Sequence, residues 1–138
     1  MTDLLDDMLG SRVAALRGAR PDFVRYTQGS YDAMVGPPQP EGLTAAERAL
    51  AARRTAELAG HTALAAHYGT LPAAPGPRDA AILRHAELLA TSPGRATRAD
   101  TEALRAAGLS PKEIVTLSQI VAFVAYQVRV AAGLALLG

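Results

Sequence analysis

Three imidazoles, His61, His67 and His85, are the only side chains in this chain whose ordinary titration falls near neutral pH. His61 and Tyr68 are seven residues apart. On one continuous helix they share a face, about 10 Å apart along its axis, so they can wall a common cavity without touching. The plainer role for His61 is to cap a helix start or face solvent. His67 is offset from His61 by roughly 120° around such a helix, so the two do not converge on one metal ion, and no motif ties either to His85. No metal site and no cofactor are expected. Glu57 precedes His61 by four. A carboxylate there could activate the imidazole as a base, although Gly60 lies between them. The competing reading is an exposed ladder of Arg53, Glu57 and His61, worth about a few tenths of a kcal/mol. His61, Tyr68, His67 and Glu57 are thus the candidate acids and bases. Tyr26 and Tyr31 are candidate pocket walls or core aromatics. Arg129 sits in an apolar run, where an unpaired guanidinium is costly, so it is expected to meet a carboxylate or line a cavity.

There is no cysteine. Disulfides, thiolate nucleophiles and thiolate-bound zinc are therefore excluded. Fourteen basic against 13 acidic residues leave a net charge of +1, with no basic stripe. Nucleic-acid binding has no electrostatic footprint here. The start, Met1-Thr2-Asp3-Leu4-Leu5-Asp6-Asp7, is acidic and unlike a secretory leader. A cytoplasmic setting is expected.

These groups must be positioned by helices. Hydrophobic residues make up 49% of the chain but aromatics only 4%, so the core must be aliphatic and rich in Ala, the best helix former. One soluble, all-α domain over 1–138 is expected. Short helices are predicted over 3–9, capped by Thr2, and over 12–17, capped by Ser11, with a third over 21–35 starting at Pro21. Residues 36–42, with three Pro and two Gly, read as a linker. Thr44 and Glu47 form a capping box for a helix reaching about Ala59. Gly60 breaks it, and a helix over 61–71 follows. A second linker, 72–77, precedes helices over 78–90 and 97–107. Ser110, Pro111 and Glu113 give the strongest start signal in the chain, for a last helix running to about Leu137. Gln119, Tyr126, Gln127 and Arg129 interrupt that helix. An intramembrane Arg costs about 2.5–3.5 kcal/mol on insertion scales, so a helix wrapped by protein is expected rather than a membrane span.

The run Glu47-Arg48-Ala49-Leu50, then Arg54, then Ala59-Gly60-His61-Thr62-Ala63-Leu64-Ala65-Ala66-His67-Tyr68 resembles the core of carboxymuconolactone decarboxylase and alkylhydroperoxidase D-like proteins. That core reads, in outline, Glu-Arg-Glu-Leu, an apolar helix with an Arg, then Thr-Gly-Cys-x-x-Cys-x-x-x-His, and the two register without a gap. The stretch from Arg78 to Leu137, including Tyr126-Gln127-Val128-Arg129, is similar to the tail of the peroxidase-related branch, as is the segment from Arg20 to Asp32. The resemblance implies a helical bundle of that family, with 1–35 as N-terminal helices, 44–71 as the redox-motif helices and 78–138 as C-terminal helices including a long buried one. It also implies a pocket at the motif positions. There Ala49 stands for the relay Glu, His61 and Leu64 for the two Cys, and Tyr68 for the His, with His67 one residue early. The thiol pair works because a helix start lowers the pKa of one sulfur and the second resolves the product. Neither sulfur exists here.

The expectation is therefore a cysteine-less, alkylhydroperoxidase D-like protein that binds a small apolar or peroxidic molecule, or serves as a non-catalytic subunit beside a homologous peroxidase-related protein. Two alternatives are a cofactor-free acid–base enzyme of the decarboxylase or isomerase type, and a helical assembly protein without a ligand. A homo-oligomer is expected, because the last helix is apolar on nearly all sides and the short N-terminal helices are too small to cover it.

Overall fold

A computed structural model describes residues 3–36 and 42–137. The described residues form eight α-helices and no strand: α1 Leu4–Leu9, α2 Ser11–Arg17, α3 Pro21–Val35, α4 Ala45–Leu58, α5 Thr62–Gly69, α6 Asp79–Thr91, α7 Arg98–Ala106 and α8 Pro111–Ala135. A single 3₁₀ turn, Pro93–Arg95, lies between α6 and α7. The all-α expectation is met. Residues 37–41 of the 36–42 linker and the expected Thr2 cap lie outside the described residues; Asp3 caps α1, its side chain accepting from the Asp6 N–H.

Local chemistry sets the boundaries. Thr44 and Glu47 close a reciprocal capping box on α4, and Ser110 and Glu113 close one on α8. Gly60 ends α4 with φ of 74°, a left-handed conformation that costs an L side chain. The His61 N–H then reaches back to the Ala56 carbonyl and the Gly60 N–H to Glu57, which satisfies carbonyls the helix leaves open. α7 ends the same way at Gly108, with Leu109 bonded back to Leu104.

α4 is the central element, packed on α5, α6 and α8. Its buried positions include Ala49, Ala51, Ala52 and Ala56, whose small side chains let neighbouring backbones approach closely. One contiguous core runs from Leu5 of α1 through Leu64, Tyr68, Ile82 and Leu104 to Leu117, Val124 and Ala131 of α8. Two buried arginines hold the N-terminal part. Arg17 pairs with Asp3 and Asp6 at 2.5 and 2.6 Å. Arg48 donates to the carbonyls of Met34 and Gly36, both at 2.8 Å, and so closes the end of α3.

The last helix differs from its expectation. It ends at Ala135 rather than Leu137, and it is buried on one face only. Leu117, Ile120, Val121, Val124, Gln127, Val128 and Ala131 are buried, whereas Val115, Gln119, Ala122, Tyr126 and Arg129 form an exposed stripe. The steps of three and four along that stripe are a helical face. Its Val and Ala residues made the helix read as apolar all round. α8 is long and apolar enough to cross a membrane by length and composition, with 39% of its most apolar window buried inside the protein.

Candidate functional site

The site builds up from the junction of α4 and α5. Gly60 turns the chain so that α5 lies back along α4, and His61 becomes the N-cap of α5, its Nδ1 accepting from the Leu64 N–H at 3.1 Å. This is the capping role foreseen for His61. It also separates His61 from Glu57, which lies across the Gly60 turn. The expected ladder shrinks to Arg53 and Glu57, 3.9 Å apart on the surface. Leu64 is fully buried in the core.

Ala49 and Tyr68 do come together. With Ala46, Leu50, Arg53 and the 71–75 segment they line a cleft of about 130 Å³ between α4, α5 and the chain leading to α6. Thus two of the four motif positions share a cavity, while His61 and Leu64 lie outside it. Tyr68 is 1% exposed. Its hydroxyl donates to the side-chain oxygen of Gln127, buried on α8. Burial pushes the phenol well above its ordinary range. Tyr68 therefore borders the cleft with its phenol protonated.

His67 and Tyr31 form a second group, not foreseen as a pair. The Tyr31 hydroxyl and His67 Nε2 are hydrogen-bonded at 2.5 Å, and the Tyr68 ring packs on both, with ring centroids 6.3 Å from Tyr31 and 5.4 Å from His67. Burial lowers the His67 pKa and raises that of Tyr31, the latter helped by Asp32. Both groups are neutral at pH 7, a weak base beside a weak acid, and neither lines the cleft.

Two sequence candidates, Tyr26 and Arg129, lie away from the cleft. Tyr26 is 65% exposed on α3, not a pocket wall. Arg129 is exposed and makes no ion pair among the described residues; it donates to the Ala125 carbonyl at 3.2 Å and edges a separate pocket beside Thr55 and Leu58. The helix is open where the sequence reading had it buried, which removes the need for a carboxylate. His85 is buried on α6 near Asp100, away from the other imidazoles. Among the described residues no three His, Asp or Glu side chains gather as a metal-ligand set.

Gln127 was missed as a site-supporting residue. A signal existed, since it follows Val124 by three and precedes Ala131 by four, on the buried stripe of α8. A polar side chain there must find a partner. The other missed group is Arg78, which ties the cleft wall down. Its guanidinium binds Glu47 and Glu113 at 2.6 to 2.8 Å and the Gly108 carbonyl at 3.1 Å. It thereby anchors the end of the 72–77 segment to the first turns of α4 and α8.

No family model matches this chain, and no curated protein matches it.

Proposed function

We propose that this protein is a cysteine-less scaffold of the alkylhydroperoxidase D-like kind that holds a small molecule in the α4–α5 cleft and carries out no thiol peroxidase chemistry. The observation that carries the reading is that Ala49 and Tyr68 line the same cleft. By the resemblance these positions belong to the relay Glu and the His. Here one offers a methyl group, and the other an aromatic ring whose hydroxyl is bound to Gln127. The cavity is kept where a proton relay would have stood, and its walls are suited to binding.

The acid–base alternative has less support. His61 is committed to a cap, Glu57 is on the surface, and His67 faces Tyr31 outside the cleft. Assembly into a homo-oligomer, a homologous peroxidase-related partner and a cytoplasmic setting belong to the same proposal. Exposed apolar residues on α3 and α8 support the first of these.

The test has two arms. Metal-free protein given an alkyl hydroperoxide and a dithiol reductant should turn over no faster than buffer. A fragment library followed by amide chemical shifts should yield compounds that move Gly69 and Ala49, and Ala49→Phe should abolish those shifts by filling the cleft. Dithiol-dependent peroxide reduction, or fragment binding indifferent to the Phe, would overturn the reading.

A further inference from the structure

We propose, building on that reading, that the ligand of the cleft is a small carboxylate on a short apolar stem, docked through the guanidinium of Arg53. Several observations meet at this point. The cavity measures about 130 Å³, close to the share of roughly four waters at about 30 Å³ each. A stem of a few carbons fits such a cleft, which is open to solvent. Its walls are mostly apolar, from Ala46, Ala49 and Leu50 on α4 to Leu71 and Pro72 opposite. Among the described residues, charge enters the lining at Arg53 and Asp79.

Of these two, Arg53 is the group with unused capacity. It makes no hydrogen bond among the described residues, and its nearest carboxylate oxygen, on Glu57, is 3.9 Å from Nε, beyond hydrogen-bond reach. The guanidinium lies over the backbone of Gly69, whose missing side chain leaves only Cα beneath it; a Cβ there would stand 3.6 Å from the guanidinium carbon. The cation thus lies against Gly69 on the wall of the cleft. A planar fork of N–H groups matches a carboxylate in two parallel hydrogen bonds. Asp79, by contrast, is engaged: its Oδ2 accepts from the Gly76 N–H at 3.0 Å, holding the turn into α6. An anion in the cleft therefore meets one cation that makes no hydrogen bond among the described residues, and one acid already committed to the backbone.

Butyrate, butyramide and butylamine, similar in size and different in charge, are the probes. Titration into ¹⁵N-labelled protein, read at Gly69 and Ala49, should show butyrate binding at least tenfold more tightly than either of the others. Arg53→Gln should weaken butyrate at least tenfold and leave the amide unchanged, with the fold checked by circular dichroism. Glu57→Gln should leave butyrate binding the same or tighter. Butyramide binding as well as butyrate, or Arg53→Gln without effect, overturns the carboxylate assignment. If neutral fragments still occupy the cleft and are blocked by Ala49→Phe, the small-molecule reading survives that failure. If neither butyrate nor any fragment moves cleft resonances, both fall.

Discussion

Arg78 donates to Glu47 through two nitrogens, Nε and Nη2, each at 2.8 Å, and the same Nη2 reaches Glu113 at 2.6 Å. Each of these carboxylates also accepts the backbone N–H that closes its own capping box, from Thr44 and Ser110 respectively. One guanidinium therefore joins the starts of α4 and α8. Both carboxylates are at least nine-tenths buried. Replacing Arg78 by Met leaves two buried charges without a counter-ion, and breaking a buried pair from one side costs roughly 3 kcal/mol or more. Urea unfolding of Arg78→Met should show a loss of that order. A loss below about 0.5 kcal/mol, the scale of an ordinary surface change, would show that the carboxylates are wetter than their burial implies.

The same clamp sets the acid limb of stability. Hydrogen bonds from Arg78 hold both Glu47 and Glu113 below the ordinary carboxylate pKa, so their contribution is complete above the unfolded value of about 4.3 and is lost as pH falls through the lower folded values. His67 and His85 act in an earlier window. Burial lowers both, so the unfolded chain takes up their protons first, and stability begins to fall as pH drops below about 6.5. Denaturation midpoints should thus decline in two stages on acidification. The double substitution His67→Gln with His85→Gln should flatten the upper stage and leave the lower. An upper stage unchanged in that variant would show that other groups titrate there.

Tyr68 and Gln127 should behave as one unit. Each is about 1% exposed, and each satisfies the other. Tyr68→Phe leaves the Gln127 oxygen without its donor, and Gln127→Leu leaves the hydroxyl without its acceptor. Each should cost about 1–3 kcal/mol, the penalty of an unpaired buried polar group. The double variant removes both partners and should recover part of that loss, so a double-mutant cycle gives a coupling of about 1 kcal/mol. Additive losses would mean that the hydrogen bond contributes nothing and that packing alone sets the cost.

What the sequence made legible was local. Pro21, the Thr44–Glu47 and Ser110–Glu113 boxes, and Gly60 act within one turn of the chain, and each marks a helix boundary found in the structure. What stayed hidden depends on where distant helices meet. Nothing near Arg78 in the sequence signals that two capping carboxylates will share it, because that choice is made when α4, α6 and α8 pack. Tyr31 and His67 are joined only once α3 lies beside α5. The open face of α8 was obscured for a different reason: Val115, Ala122 and Gly133 are apolar or small yet exposed, and periodicity separates faces only when their polarities differ.

That open face carries the last prediction, the homo-oligomer. Phe23 and Tyr26 on α3, and Val115 and Tyr126 on α8, are 42–65% exposed. The Tyr126 hydroxyl bonds Thr27 at 3.0 Å, which brings the middle of α8 beside α3, four residues on from Phe23. Half-buried Phe123 packs on Tyr126, with ring centroids 6.2 Å apart. Arg20 and Arg25 sit over the Phe23 and Tyr26 rings at 4.5 and 5.0 Å, and a cation over an aromatic face shields it only in part. Scattered apolar residues need no partner, but aromatic side chains on adjoining helices are the composition of an interface centre. A second copy meeting this surface about a two-fold axis is the simplest closed arrangement. Light scattering at micromolar concentration should give at least twice the monomer mass of 14.3 kDa. Tyr126→Asp combined with Phe23→Asp should return the mass to that of the monomer without loss of helix content. A wild-type monomer at that concentration, or an oligomer untouched by the double substitution, would remove the α3–α8 face as the contact.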